Sequence, residues 1–255
     1  MRPLFLALSG GGAHAAAHCG ALRALEREGV PVAGMAAVSG ASLVAALWAA
    51  GVDMDRFVAG ASELHPWMWA RGWGGGLLSG SRLGALVDEW LPATRFEELR
   101  VRLVVIATDV DTGEAVVFRE GSVRDAVRAS CSFPGFFPPY ALGGRRLVDG
   151  SVSEVVPVRR ARDMAGDQGV VVAVDCNAGG RWPAADSFVA IALRAGLTLL
   201  RGRTRSELAG ADLVIAPQIG ESGWMRPQRI PAFAAAGDEA IVEALPELRR
   251  LLDGP

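Results

Sequence analysis

The sequence has few residues that cross-link a chain or hold a metal. It contains three cysteines and three histidines among 255 residues. Cys19, Cys131 and Cys176 lie far apart in apolar segments, which is typical of buried, reduced thiols and gives no disulfide or zinc spacing. His14 and His18 are four residues apart on a predicted helix, but no third ligand accompanies them. We therefore predict neither a metal nor another cofactor.

Excess charge and long hydrophobic runs are also lacking. The 26 basic and 28 acidic side chains nearly balance, so nothing favours nucleic acid as a partner. The apolar start, MRPLFLALSGGG, is too short for the core of a signal peptide, and we expect a cytoplasmic protein. The uncharged segment 33–51 is interrupted by glycines and serines, which favours a strand, a turn and a buried helix over a membrane span.

The hydrophobic pattern alternates between short strands and longer helices. Alternation of this kind predicts a three-layer α/β/α fold with a mainly parallel central sheet, here as a single domain over residues 1–255. The final helix is expected to restart at Pro246, because proline suits a first helical turn. The predicted strands are 3–9, 34–38, 103–108, 116–119, 145–148, 170–175 and 213–216, and the predicted helices are 14–28, the segment after 42, 54–64, 82–90, 123–130, 187–200 and 232–252.

Two turns follow the first two predicted strands. The first, SGGGAHA, fits a dinucleotide-binding glycine pattern, but no acidic residue for a ribose lies between Glu28 and Asp53, and no lysine follows for a phosphate loop. Glycines at a helix N-terminus still present free N–H groups to an anion. The second, AAVSGASLVAAL, places Ser42 in a Gly-x-Ser turn similar to a nucleophile elbow, with Val44 in place of the second glycine.

The two turns would meet at one edge of a parallel sheet, where a nucleophile and an oxyanion hole could be neighbours. A Ser-Asp-His order is excluded because no histidine follows residue 65, so a carboxylate must serve as base. Asp149, in RRLVDGSVSEVVPV, ends a predicted strand before a turn glycine. The alternatives are that Ser42 is only a helix cap and that Asp149 is an ordinary turn residue.

The chain resembles the patatin-like phospholipases in these motifs. Further segments follow in the order expected for that family, namely ATDVDTGEAVVF, AVRASCSFPGFFPP and ADLVIAPQI. The resemblance implies acyl-ester hydrolysis through an acyl-serine intermediate. It implies that Ser42 is the nucleophile, that Asp149 is the base, and that the N–H groups around Gly10, Gly11 and Gly12 form the oxyanion hole. The implied substrate is an acyl lipid or another ester, and transient contact with a membrane surface would follow.

Four positions depart from the family pattern, namely His14, Ala15, Val44 and Ser151. They leave open a second interpretation, a weakly active or inactive protein of this fold that binds an acyl lipid or a protein partner. The tract LHPWMWARGWGGGLLSG also has two interpretations. It is either a lid over an acyl-binding groove, with Trp67, Trp69 and Trp73 available to lipid, or a segment whose tryptophans fold into the core.

Overall fold

The structure is a computed structural model that describes residues 1–63, 79–178, 186–220 and 226–254. The tract 64–80, for which the sequence left a lid and a segment folded into the core as alternatives, lies outside the described residues except at its end. The strands are β1 (Leu4–Leu8), β2 (Val32–Val38), β3 (Arg102–Asp109), β4 (Ala115–Phe118), β5 (Tyr140–Leu142), β6 (Arg145–Asp149), β7 (Val170–Val174) and β8 (Leu213–Ile215). The helices are α1 (Ala16–Arg27), α2 (Gly40–Ala49), α3 (Met54–Ser62), α4 (Gly80–Trp90), α5 (Val123–Ser130), α6 (Val158–Ala165), α7 (Phe188–Leu208) and α8 (Ile230–Asp253).

The strands form one mixed sheet in the order β5-β6-β3-β2-β1-β7-β8, with β4 also paired to β3. Five adjacent strands, β3, β2, β1, β7 and β8, run parallel to one another. Strands β4 and β6 run antiparallel to β3, and β5 runs antiparallel to β6. As a result, β1 and β2 end at the same edge, as the sequence predicted, and β6 reaches the end of β3 from the opposite direction.

Both faces of the sheet are covered, because successive strand residues point to opposite sides. In β1, Leu4, Leu6 and Leu8 pack into a core with α1, α2, α5 and α8. Phe5 and Ala7 pack into a second core with α6 and the C-terminal half of α7. The predicted three-layer α/β/α architecture is therefore confirmed.

The described elements differ from the sequence prediction mainly in four places, one of which is α7, which continues to Leu208 where the prediction ended at residue 200. Helix α6 was not predicted, because its arginines and aspartate conceal an apolar stripe of only Val158, Ala161 and Ala165. Strand β5 is three residues long and was too short to predict. Pro246 lies inside a continuous α8 rather than at the start of a new helix. Buried residues on both sides of it, including Ile241 and Leu248, keep the helix packed against the core.

The uncharged segment 33–51 forms β2, a turn and α2, as predicted. Within the described ranges, no helix combines the length and the apolar character needed to cross a membrane. Helix α2 is buried along its whole length except at its first residue, Gly40, which explains its lack of charged side chains.

Candidate active site

The sharpest backbone feature of the site is at Ser39, between the end of β2 at Val38 and the start of α2 at Gly40. Ser39 has φ 54° and ψ −137°. It is the one non-glycine residue with positive φ in the part of the chain that the structure describes. Such a conformation costs on the order of 1–3 kcal/mol and persists where the surroundings enforce it. A strained serine between a strand and a helix is the geometry of a nucleophile elbow.

The Ser39 hydroxyl is hydrogen-bonded to the carboxylate of Asp149. Ser39 Oγ donates to Asp149 Oδ2 at 2.6 Å. Asp149 is the last residue of β6 and pairs with Ala107 of β3, so the antiparallel strand delivers the carboxylate to the elbow. The other carboxylate oxygen, Oδ1, accepts from the Ser151 N–H at 2.8 Å. Only 8% of Ser39 and none of Asp149 is exposed.

Burial sets the acidity of Asp149. Loss of hydration raises its pKa from 3.8 to about 6, although the hydrogen bonds from Ser39 and from Ser151 lower it. The carboxylate is therefore ionised at neutral pH, yet is much more basic than an exposed aspartate. A group with these properties is suited to accept a proton from a serine hydroxyl.

Ser42, which the sequence indicated as the nucleophile, does not face Asp149. Its hydroxyl is fully buried in the first turn of α2 and donates to the Ser39 carbonyl oxygen at 2.6 Å. The segment 40–42, with the sequence GAS, matches the Gly-x-Ser half of an elbow motif. However, β2 ends at Val38, two residues before Gly40, and the turn is centred on Ser39. The signal that sequence reasoning missed is a serine directly after the last apolar strand residue.

An elbow centred on Ser39 also changes how Val44 is interpreted. The positions two residues before and after Ser39 hold Ala37 and Ala41, both fully buried, where the elbow motif has glycines. Val44 is a buried residue in the middle of α2. It is therefore a core residue and not a replacement for the second glycine of the elbow.

The glycine turn after β1 lies against this elbow. A Cβ added to Gly10 would lie 3.1 Å from the Ser39 Cβ, and one added to Gly40 would lie 2.7 Å from the Gly12 carbonyl oxygen. Both distances are shorter than ordinary contacts between side-chain carbons and their neighbours. The two turns can approach this closely because glycine stands at both positions.

The three glycines are not equivalent as hydrogen-bond donors. The Gly10 N–H donates to the Val155 carbonyl at 3.1 Å and is not free to bind a ligand. Gly11 precedes the short helical turn Gly12–Ala15 and Gly12 begins it, and the described residues supply no acceptor for their N–H groups. Gly12 has a φ of 55°, a backbone conformation that favours glycine over other residues. Two of the three predicted glycines thus have N–H groups that no described residue accepts, in the turn that lies against Ser39.

Asn177, which follows β7, holds the glycine turn from the side. Its amide N–H donates to the Gly10 carbonyl oxygen, and its Oδ1 lies 3.4 Å from His14 Nδ1. His18 is buried with Nε2 2.9 Å from the Ser9 carbonyl, and burial lowers its pKa to about 4. A neutral His18 that donates to Ser9 stabilises the end of β1. Neither histidine is hydrogen-bonded to Ser39 or Asp149.

The turn after Asp149 is fixed from two directions. On the sheet side, Thr108 Oγ1 lies 3.0 Å from the Asp149 carbonyl oxygen and 2.9 Å from Ser153 Oγ. A Cβ on Gly150 would overlap the Ile106 carbonyl oxygen, so only glycine fits there.

On the helix side, the α7 residues Arg203 and Glu207 bind the backbone of the following segment. Arg203 donates to the carbonyls of Val152 and Ser153, at 2.9 and 2.5 Å. Glu207 accepts from the N–H groups of Val155 and Val156. Because the Val155 carbonyl also accepts from Gly10, this segment connects the Asp149 turn to the glycine turn.

Ala15 and Ser151, two of the positions that depart from the family pattern, lie where the turns meet. Ala15 is buried, and its Cβ would lie 3.0 Å from a Cβ at Gly40, which fits a close contact between the turns. Ser151 places its hydroxyl where a side chain on Gly10 would be. Among the described residues, no group of three or more histidine, cysteine or acidic side chains could hold a metal ion.

Comparisons with known proteins identify a family and a fold. The family model described as patatin-like phospholipase matches residues 6–162. An uncharacterized NTE family protein of Mycobacterium tuberculosis is 28% identical over 263 aligned positions, which cover 99% of this chain and 42% of that protein. The chain thus spans less than half the length of that relative.

Two solved structures share the fold. VipD from Legionella pneumophila aligns with a TM-score of 0.55 and 15% identity over 96% of this chain and 67% of that chain. Human GIVD cytosolic phospholipase A2, in complex with methyl gamma-linolenyl fluorophosphonate, aligns with a TM-score of 0.51 and 11% identity over 97% and 58%.

Proposed function

Because the chain belongs to the patatin-like phospholipase family, we propose that it is a serine hydrolase of lipid acyl esters, with Ser39 as nucleophile and Asp149 as general base. The observation that carries the proposal is the 2.6 Å hydrogen bond between these two side chains at a strained elbow. The proposal gives the role of nucleophile to Ser39 and not to Ser42, whose hydroxyl donates to the Ser39 carbonyl oxygen.

In the acylation step, Asp149 accepts the proton of the Ser39 hydroxyl as Oγ attacks the ester carbonyl carbon. The oxyanion that forms is stabilised by the N–H groups of Gly11 and Gly12, with the N-terminus of α2 at Gly40 beside them. When the tetrahedral intermediate collapses, the protonated Asp149 gives its proton to the leaving alcohol. An acyl-serine and a free alcohol result.

Deacylation repeats the same transfers with water. Asp149 takes a proton from the water that attacks the acyl carbon, and returns it to Ser39 Oγ as the ester bond breaks. The products are a carboxylic acid and the original dyad. The carboxylate is ionised near neutral pH because its pKa is about 6, so each cycle begins from the competent state.

The proposed substrate class is a fatty-acyl ester. The family match supports a lipid, and one structural neighbour of the same fold was solved in complex with methyl gamma-linolenyl fluorophosphonate. Such a compound reacts with an activated serine, so it is a suitable probe for this chain. Contact with a membrane surface during turnover remains a prediction that accompanies this substrate class.

The test is labelling with methyl gamma-linolenyl fluorophosphonate, followed by fragmentation of the labelled peptide. Ser39 and Ser42 lie on the same short peptide, so the fragments must separate them. We expect the label on Ser39 in the wild type, no label in Ser39→Ala, and retained label in Ser42→Ala. A label on Ser42, or one that survives Ser39→Ala, would contradict the assignment. A folded wild type without any label would favour the alternative of an acyl-lipid or protein binder.

A further inference from the structure

We propose that Ser130 and Ser42 are positioning residues that hold Ser39 in its strained backbone conformation and thereby set the rate at which it attacks. The proposal rests on the assignment of Ser39 as nucleophile. It goes beyond that assignment because it gives functions to two serines that do not touch the reacting atoms.

Ser130, the last residue of α5, holds the N–H side of Ser39. Its Oγ accepts from the Ser39 N–H at 2.8 Å and donates to the Ile106 carbonyl of β3 at 2.6 Å. The single hydroxyl proton is therefore used on Ile106, which leaves a lone pair directed at Ser39. Ser130 is fully buried, so water does not compete for either bond.

Ser42 holds the carbonyl side. The Ser39 carbonyl oxygen accepts from the Ser42 hydroxyl at 2.6 Å and from the Ser42 N–H at 2.8 Å. The N–H bond belongs to the first turn of α2 and does not need the side chain. The hydroxyl adds a second donor, so serine side chains bind both of the backbone groups of Ser39.

These contacts matter because β2 ends at Val38 and the strand ladder no longer supports Ser39. An L residue at φ 54° returns to a relaxed conformation unless its neighbours prevent it. Rotation of the backbone at Ser39 would swing Oγ away from Asp149 Oδ2. A displacement of about 1 Å at a reacting atom can lower a rate on the order of a hundredfold.

The first experiment compares Ser130→Ala, Ser42→Ala and a matched control, Ser132→Ala. Ser132 lies two residues beyond Ser130, is also buried, and uses its hydroxyl only on the Arg128 carbonyl within the same helical turn. For hydrolysis of a short p-nitrophenyl ester, we expect Ser130→Ala to lower kcat by roughly ten- to a hundredfold with KM unchanged. We expect a smaller loss, about threefold, for Ser42→Ala, which keeps the backbone bond.

Melting temperatures of all three variants separate positioning from general destabilisation. Ser130→Ala and Ser132→Ala each remove one buried hydroxyl, so their stabilities are expected to be similar while their kcat values differ. Equal kcat in these two variants, or a change in KM alone, would overturn the proposal.

A second measurement does not depend on catalysis. Hydrogen exchange at the Ser39 amide, followed by mass spectrometry with fragmentation, should be faster in Ser130→Ala than in Ser132→Ala. If the wild type fails to react with the fluorophosphonate, the proposed function fails, whereas the exchange comparison still decides whether Ser130 holds Ser39. Identical exchange in both variants would refute the positioning role.

Discussion

Replacement of Asp149 by asparagine should abolish hydrolysis and at the same time stabilise the fold above pH 6. The wild-type carboxyl has a pKa of about 6 in the folded state against an ordinary value of 3.8, with burial as the main cause. Between these two pH values, the folded protein binds more protons at this site than the unfolded chain does. Folding is therefore favoured below pH 4 and loses free energy as the pH rises to about 6.

The size of the effect follows from the two pKa values. One pKa step is worth about 1.4 kcal/mol, so ionisation of buried Asp149 costs about 3 kcal/mol of folding free energy above pH 6. Asparagine has nearly the same shape and no charge, and does not incur this cost. The difference in stability between Asp149→Asn and the wild type should widen by about 2.5 kcal/mol between pH 4 and pH 7, because the unfolded carboxyl is already partly ionised at pH 4. For a chain of this length, that corresponds to roughly 5–10 °C in Tm.

The assay is thermal unfolding of both proteins at pH 4, 5, 6, 7 and 8, combined with the rate of ester hydrolysis at pH 7. Asp111→Asn is the matched control, because Asp111 is exposed and its hydrogen bond with Arg146 lowers the pKa of its carboxyl. The control should not show a stability advantage that grows with pH. A constant difference between Asp149→Asn and the wild type across this range would show that burial does not raise the pKa of Asp149.

Three further results are expected. The rate of fluorophosphonate labelling, measured from pH 4.5 to 8, should fall about tenfold for each pH unit below pH 6 and stay level above it. The reason is that only ionised Asp149 accepts a proton. A rate that does not change with pH would exclude Asp149 as the base. Gly40→Ala should lower kcat on the order of a hundredfold, because its Cβ would lie 2.7 Å from the Gly12 carbonyl oxygen and displace the glycine turn. A circular-dichroism melt checks that the variant is folded, and a variant with the kcat of the wild type would contradict this expectation. Val44→Gly should lower the free energy of unfolding in denaturant by about 2–4 kcal/mol without raising kcat, because it removes a buried side chain and weakens α2. A higher kcat would support the interpretation of Val44 as a replacement for an elbow glycine.

The sequence predicted the fold well because its hydrophobic periodicity is strong where the sheet is buried. Segments such as LFLAL and VVVAV form fully buried strands, and their burial leaves few alternatives. The sequence did not decide between two serines that are three residues apart in the same turn. Gly40 and Ser42 resemble part of an elbow motif, whereas the end of β2 at Val38 and the positive φ of Ser39 favour a turn centred on Ser39.

The supporting contacts of the site could not have been predicted from the sequence. Asp149 was predicted because a carboxylate before a turn glycine has a recognisable local pattern. Ser130, Asn177 and Glu207 lie far from Ser39 along the chain and reach the site only through packing of α5, β7 and α7. No local pattern reports such contacts, because they are made between backbone atoms and side chains of distant segments.

The contacts of α7 with the segment after Asp149 have a consequence for how this chain could be shortened. The segment shared with the family model, 6–162, includes Ser39, Asp149 and all three glycines. Asn177, Arg203 and Glu207, which hold the glycine turn and the Asp149 turn together, lie beyond it. Under the proposed assignment, a chain cut after residue 162 would contain both members of the dyad but would lack the side chains that hold the two turns in place. We expect such a fragment to be inactive even though its sequence includes Ser39 and Asp149.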